Sequence, residues 1–176
     1  MLSLTVYETS VKSKLVRESL QSGFILRIMD ETAIALVETH RGAQKGKELK
    51  GCFKNGAIGI AIYQDETIAA YGWIGYNRES LPQRKYTVFT IPGNSAHIFG
   101  CYTFLPFRGK GLYKQVVGSL VDQAYKDALT QVYIDTVIGN VPAEKAVNKM
   151  GFDMISKQYK LFFWNKIIYE FERPKK

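Results

Sequence analysis

Apolar and polar positions alternate along this chain in short extended runs, interrupted by a few stretches of helical period. GFILRIMD (23–30) reads as a strand, an apolar run introduced by Gly23. Residues 31–40 and 44–54 have helical character, the second ending at the turn signal Asn55-Gly56. AIGIAIY (57–63) and TIAAYGWIGY (67–76) are joined by Gln64-Asp65-Glu66, which predicts an antiparallel hairpin with a short polar turn. NRESLPQRK (77–85) is a polar loop. YTVFTI (86–91) and SAHIFGCYTFL (95–105) read as further strands, separated by Pro92-Gly93-Asn94. Leu112, Val116, Val117, Leu120, Val121, Ala124 and Ala128 then recur at helical spacing, predicting a long helix with one face on a sheet. QVYIDTVI (131–138) is a strand. Pro142 suits the first turn of a short helix, where proline loses no hydrogen bond, and Gly151 suits its end. KQYKLFF (157–163) and KIIYEFE (166–172) flank Trp164-Asn165 as a closing hairpin. The first 55 residues carry the weakest pattern, and no element is assigned before residue 23.

The order of elements predicts an α+β or mixed α/β sheet with helices on its faces, without the regular alternation of a doubly wound sheet. A length of 176 residues fits one domain over 1–176. A hydrophobic share of 46% with 23% charged residues is that of an ordinary globular chain and excludes a disordered one. No run of 18 apolar residues exists to span a membrane, and the N-terminus lacks the features of a secretory signal. Two cysteines, Cys52 and Cys101, make no disulfide framework. Together with His40 and His97 they show no metal-ligand spacing. A reducing, cytoplasmic setting and no metal are therefore expected. The net charge of +8 attracts anions such as nucleotide cofactors, nucleic acid or acidic lipids. Its cations are spread along the chain, with concentrations at 41–50 and at 173–176, the latter expected to be a flexible basic tail. Charge alone leaves the partner open.

The most informative stretch is CYTFLPFRGKGLYKQ (101–115), where a strand runs into Arg108-Gly109-Lys110-Gly111 and a long helix begins at once. The free N–H groups and positive dipole end of a helix start form an anion site. Glycines allow close backbone approach, and Arg108 and Lys110 add charge. The arrangement suits a pyrophosphate, although a Gly-Lys-Gly turn also serves as a plain connection. Neither the GxxxxGK[ST] spacing of a P-loop nor a dinucleotide fingerprint is present. Thirty-two residues after Arg108 comes Asn140, in GNVPAEKAVNKMGF (139–152).

The pairing of RGKG after one strand with N-x-P-A after the next, and the closing K-M-G-F, resembles the GNAT superfamily of N-acetyltransferases over about residues 96–152. The family motif is Q/R-x-x-G-x-G/A. The resemblance implies a single domain with a central, mostly antiparallel sheet of about six or seven strands, in which the family's fourth and fifth strands splay apart. It further implies that the backbone of Cys101, Tyr102 and Thr103 holds the pantetheine arm and the acyl carbonyl as an added strand would. A bulge commonly re-aims such a strand. The amides of Gly109, Lys110, Gly111, Leu112, Tyr113 and Lys114 would hold the pyrophosphate, with Arg108 at the motif's first position. Asn140 would contact the cosubstrate arm from the next strand. Two departures stand out. Tyr113 replaces the motif's last Gly/Ala and either crowds the pyrophosphate or points away. Val147 occupies the position where many members carry the tyrosine that protonates the leaving thiolate.

An amine attacks only when neutral, and a free lysine amine has a pKa of about 10.4, so a base is expected. Asp135 is the candidate: an acid in the otherwise apolar strand Val132-Tyr133-Ile134-Asp135, five residues before Asn140. The alternative is that it caps a loop or pairs with a lysine. His97 is second, against the reading of a structural histidine. Tyr102 is expected to act through its backbone rather than as a proton donor. Cys101 as a covalent carrier would need an activating base. Glu79 reads as solvated. Tyr71, Trp73, Tyr76, Phe99, Phe162, Phe163 and Trp164 read mostly as packing, a few of them lining an acceptor groove.

The reading that follows is an acetyl-CoA-dependent N-acetyltransferase, acting by direct attack of a primary amine on the thioester. The alternatives are a non-catalytic acyl-CoA-binding module and a basic nucleic-acid binder that keeps only the fold, for which no motif is present. The acceptor and self-association as a homodimer stay open.

Overall fold

The computed structural model describes residues 2–11, 20–82, 92–163 and 166–175. Strand β1 (Leu2–Ser10) is followed by β2 (Phe24–Ile28), helices α1 (Glu31–Arg41) and α2 (Ala43–Lys54), and the hairpin β3 (Ile58–Gln64) and β4 (Thr67–Gly75). After β5 (Ser95–Thr103) a 3-10 turn (Leu105–Phe107) leads to α3 (Leu112–Lys126), β6 (Gln131–Val137) and α4 (Val141–Lys149). The hairpin β7 (Asp153–Phe163) and β8 (Lys166–Pro174) closes the fold. All eight strands form one sheet in the order β2-β3-β4-β5-β6-β1-β7-β8. Every neighbouring pair is antiparallel except β5 and β6.

Each helix starts and stops for a local reason. Asp30 caps α1 by accepting from the Ala33 N–H at 2.8 Å. Gly42, at φ 88°, ends α1 and starts α2, so the two helices turn sharply onto one another. Proline lies in the first turn of α4, and Gly151 follows that helix at φ 87°.

The alternation along the strands sorts two cores onto the two faces of the sheet. Val116, Val117, Leu120, Val121 and Ala124 of α3 pack with Ile60, Ile62, Ile74, Ile98, Val132 and Ile134. The residues between these, Ala61, Trp73 and Phe99, face the other way and pack with Ile34, Val37, Leu49 and Cys52 of α1 and α2.

The mixed α/β sheet is the one the pattern implied, with eight strands rather than six or seven. The additional strand is β1, inserted between β6 and β7. It is buried on both faces, with Leu4 and Val6 on one and Thr5, Tyr7 and Thr9 on the other. Leu2, Leu4 and Val6 alternate with Ser3 and Thr5, a strand pattern that sequence reasoning passed over. Ala128 does not extend the face of α3: the helix ends at Lys126, and Ala128 is exposed at φ 57°. Strand β8 continues into the expected tail, where Arg173 pairs with Lys157 and the Lys175 N–H donates to the Ile155 carbonyl at 2.8 Å. The expected strand 86–91 and the turn Trp164-Asn165 lie outside the described residues. No described helix is long and apolar enough to cross a membrane.

Leu120 is wholly buried where α3 meets the sheet. Leu120→Ala should destabilise the fold by about 2–5 kcal/mol, the usual cost of a core leucine truncation. A urea unfolding midpoint measured for both proteins checks this.

Candidate active site where two strands part

The site follows from one irregularity in β5. Tyr71 pairs with Tyr102 and Trp73 with Phe99, so Gly72 alone on β4 stands opposite both Gly100 and Cys101 on β5. This is a β-bulge, and Gly100 at φ 63° supplies its left-handed residue. The bulge flips the alternation of side chains. Phe99 faces the α1–α2 core, whereas Cys101 packs against the α3 side. A Cβ on Gly72 would lie 2.7 Å from the Cys101 Sγ, so only glycine lets the thiol fold down there. The bulge also bends β5 away from its other neighbour. Parallel pairing with β6 runs from Ser95 opposite Gln131 to Ile98 opposite Ile134 and stops. Beyond it β5 continues on β4 as far as Thr103, while β6 continues on β1 as far as Val137. A wedge opens between them. Residues 99–103 form one wall and 135–137 the other.

The expected phosphate turn lies at the mouth of this wedge. Gly109 and Gly111 have φ of 79° and 73°, and Gly111 is the N-cap of α3 with no side chain capping the helix. Arg108 and Lys110 are exposed. The Arg108 Nε donates to the Thr103 carbonyl at 3.2 Å, tying the turn to the end of β5. The Lys110 ammonium lies over the rings of Phe24 and Phe107 at 5.3 and 5.6 Å. Leu112 is buried in the core, so only its backbone is open to a role at the turn. Lys114 lies in the first turn of α3, its N–H donating to the Gly111 carbonyl at 3.0 Å. Asn140 is exposed at the N-cap of α4, past the end of β6. The hydroxyl of Thr103 is buried and has no protein hydrogen-bond partner.

The two candidate bases come together. His97 Nε2 and Asp135 Oδ1 are 2.8 Å apart, on neighbouring strands. The side chains are 8% and 24% exposed, so Asp135 faces solvent while His97 stands behind it. Asp135 lies just past the last β5–β6 pair, at the floor of the wedge. Among the described residues it neither caps a loop nor pairs with a lysine.

Other groups respond to its field. Burial first, and the Asp135 carboxylate second, push the Cys101 thiol up to about 12. Tyr113 does not point away from the site. It packs against the α3-side core, and its hydroxyl is held well above the ordinary tyrosine value by burial, then by Cys101, Asp135 and Tyr7. Val147 is fully buried in that same core. The Tyr102 ring lies on the opposite side of β5, against Tyr71 and Phe104. Glu79 is exposed in its loop. Sequence reasoning passed over Arg41, Lys45 and Glu48, which overhang that opposite side; the only signal was the cation-rich run 41–50.

Comparison with known proteins bears on the whole arrangement. The model of the acetyltransferase (GNAT) family matches residues 24–152. Among solved structures, an acetyltransferase of the GNAT family from Colwellia psychrerythraea is 18% identical, with a TM-score of 0.64 over 88% of this chain and 53% of its own. A Drosophila protein is 13% identical, with a TM-score of 0.64 over 89% of this chain and 48% of its own. A GCN5-related N-acetyltransferase from Sphaerobacter thermophilus is 12% identical, with a TM-score of 0.59 over 89% and 49%. At these identities the likeness is one of fold, and the chain spans about half the length of these structures. No curated protein sequence matches the chain.

A thiol with a pKa of about 12 has roughly one ten-thousandth of its population as thiolate at pH 8. Cys101 should therefore resist iodoacetamide at pH 8 in the native protein and react promptly in denaturant. Intact and peptide mass spectra before and after unfolding check this.

Proposed function

This chain belongs to the acetyltransferase (GNAT) family, and we propose that it transfers an acyl group, acetyl by default, from acyl-CoA to a primary amine. The observation that carries the reading is the wedge between β5 and β6, with a glycine turn and an uncapped helix start at its mouth and an Asp–His pair at its floor. The pyrophosphate of the cosubstrate would lie on the amides of Gly109, Lys110, Gly111, Leu112, Tyr113 and Lys114, with Arg108 beside it. Its pantetheine arm would enter the wedge along the backbone of Cys101, Tyr102 and Thr103, with Asn140 on the facing side. The buried, unpartnered hydroxyl of Thr103 supports this placement, because a polar group in that position calls for a ligand partner.

In the transfer, the amine nitrogen forms a bond to the thioester carbonyl carbon and the carbon–sulfur bond breaks. Asp135, oriented by His97, takes the proton that the amine must lose. Backbone N–H groups at the bulge stabilise the developing oxyanion. Val147 has no proton to give, and Tyr113 replaces it as donor to the departing sulfur. Its phenol stays protonated far above neutral pH and shares the wedge with Cys101 and Asp135. Cys101 stays a thiol and carries no acyl group. The absence of a disulfide between Cys52 and Cys101 suits work in the reducing cytoplasm.

Calorimetry with acetyl-CoA tests the reading, with NADH and ATP as controls. A 1:1 complex with acetyl-CoA alone is expected, and weaker binding when Gly111 is replaced by a bulky residue. Binding without thioester cleavage across an amine panel would favour a non-catalytic acyl-CoA module. No binding by folded protein would mean that Tyr113 closes the wedge. In an active protein, Asp135→Asn and Tyr113→Phe should each lower kcat by roughly 10²–10⁴ and leave the acetyl-CoA Kd nearly unchanged. Unaltered rates across pH would dismiss both roles.

A further inference from the structure

The α1–α2 side of β5 holds a second set of groups that this chemistry does not use. Gly100 places no side chain there. The Lys45 ammonium and the Cδ1 edge of Trp73 come within 4.0 and 3.8 Å of where its Cβ would be. Lys45 is paired with Glu48. Next to it, the Arg41 guanidinium lies 3.7 Å from the centroid of the Tyr102 ring, which in turn packs on Tyr71 and Phe104. Tyr71 and Trp73 are fully buried, yet the Tyr71 hydroxyl and the Trp73 indole N–H have no hydrogen-bond partner in the protein. The Tyr71 hydroxyl lies within the fields of both Arg41 and Glu48.

The chemistry of this set is one-sided. An indole N–H only donates, and a phenol that is protonated at neutral pH is free to donate. Arg41 has no carboxylate partner among the described residues, so Arg41, Lys45 and Glu48 together leave one cation in excess. A cation in the last turn of α1 complements the helix dipole, which accounts for Arg41 being there but not for its fold over Tyr102. Two unpartnered buried donors beside one uncompensated guanidinium complement an anion with two acceptor oxygens. Gly100 adds no side chain to this side of β5.

Resting on the transferase reading of the same site, we propose that the acceptor is an amine that also carries a carboxylate, of the amino-acid class. Its carboxylate is held by Arg41, the Trp73 N–H and the Tyr71 hydroxyl, and its amine passes over Gly100 toward Asp135.

The test reads binding directly and needs no turnover. The indole N–H signal of Trp73 is followed by NMR, assigned with Trp164→Phe, while free amino acids are titrated against the matching amino-acid amides and decarboxylated amines. The free acids should shift the signal saturably and bind at least about tenfold tighter than their amides, as expected for a charge-assisted pair. Arg41→Gln, an exposed change that leaves the core intact, should abolish that preference. Amides or plain amines binding as well as the acids would overturn the proposal, as would a Trp73 signal unmoved by millimolar amino acid. Acetyl-CoA titrated into the same sample reports separately, through the amides of residues 109–114. A blank there beside an intact preference for acids removes the transferase reading and leaves the acceptor site standing.

Discussion

The site depends on a single extra residue in β5. A regular strand would have kept its ladder to β6, and Cys101 would have faced the α1–α2 core like Phe99. The bulge at Gly100 forbids both. It requires a left-handed residue, which glycine adopts without strain, and it requires a partner strand that is bare opposite it, which Gly72 provides. Two glycines on adjacent strands thus convert a sheet into a sheet with an opening. The rest of the fold holds that opening in place. On one side β5 stays tied to β4, and on the other β1 anchors β6 beyond the point of parting.

The wedge also sorts its ionisable groups by access to water. The Asp135 carboxylate keeps about a quarter of its side-chain surface exposed and lies 2.8 Å from the His97 imidazole. The Cys101 thiol and the Tyr113 phenol keep their protons, because burying their anions near that carboxylate is doubly unfavourable. The outcome is one half-buried acid beside two groups that keep their protons. That division is what a transfer to an amine requires: a group that accepts a proton from the nucleophile, and a protonated group near the leaving atom.

The parts of the molecule that could be read from the sequence are those in which one residue type has a local consequence. The hairpin of β3 and β4, the amphipathic face of α3 and the glycine turn before it all follow from spacing within a few residues. Asp135 could be singled out because an acid in an apolar strand is conspicuous. Its pairing with His97 could not, since it joins strands 38 residues apart and depends on parallel register. The bulge was hidden because glycine in a strand has several meanings. The orientation of Tyr113 was undecided between outward and inward. It is settled by how α3 sits on the sheet, which no local pattern records. Arg41, Lys45 and Glu48 read as solvated charge in sequence and converge only because Gly42 turns α2 back on α1.

The proton donor proposed here bears on how such a wedge tolerates change. What the departing sulfur needs is a phenol or its equivalent in a water-poor place; the helix it comes from is secondary. Both α3 and α4 flank the opening. Val147 on α4 has become a core residue, wholly buried beneath α3. Tyr113, in the first turn of α3, packs against the α3-side core. Assigning the donor role to Tyr113 has a steric consequence, because the same residue belongs to the turn proposed to hold the pyrophosphate. The two demands are compatible only if the backbone of Tyr113 faces the phosphates while its ring is turned inward. The inward packing of that ring against the α3-side core meets this condition, and it leaves the helix start open for the anion.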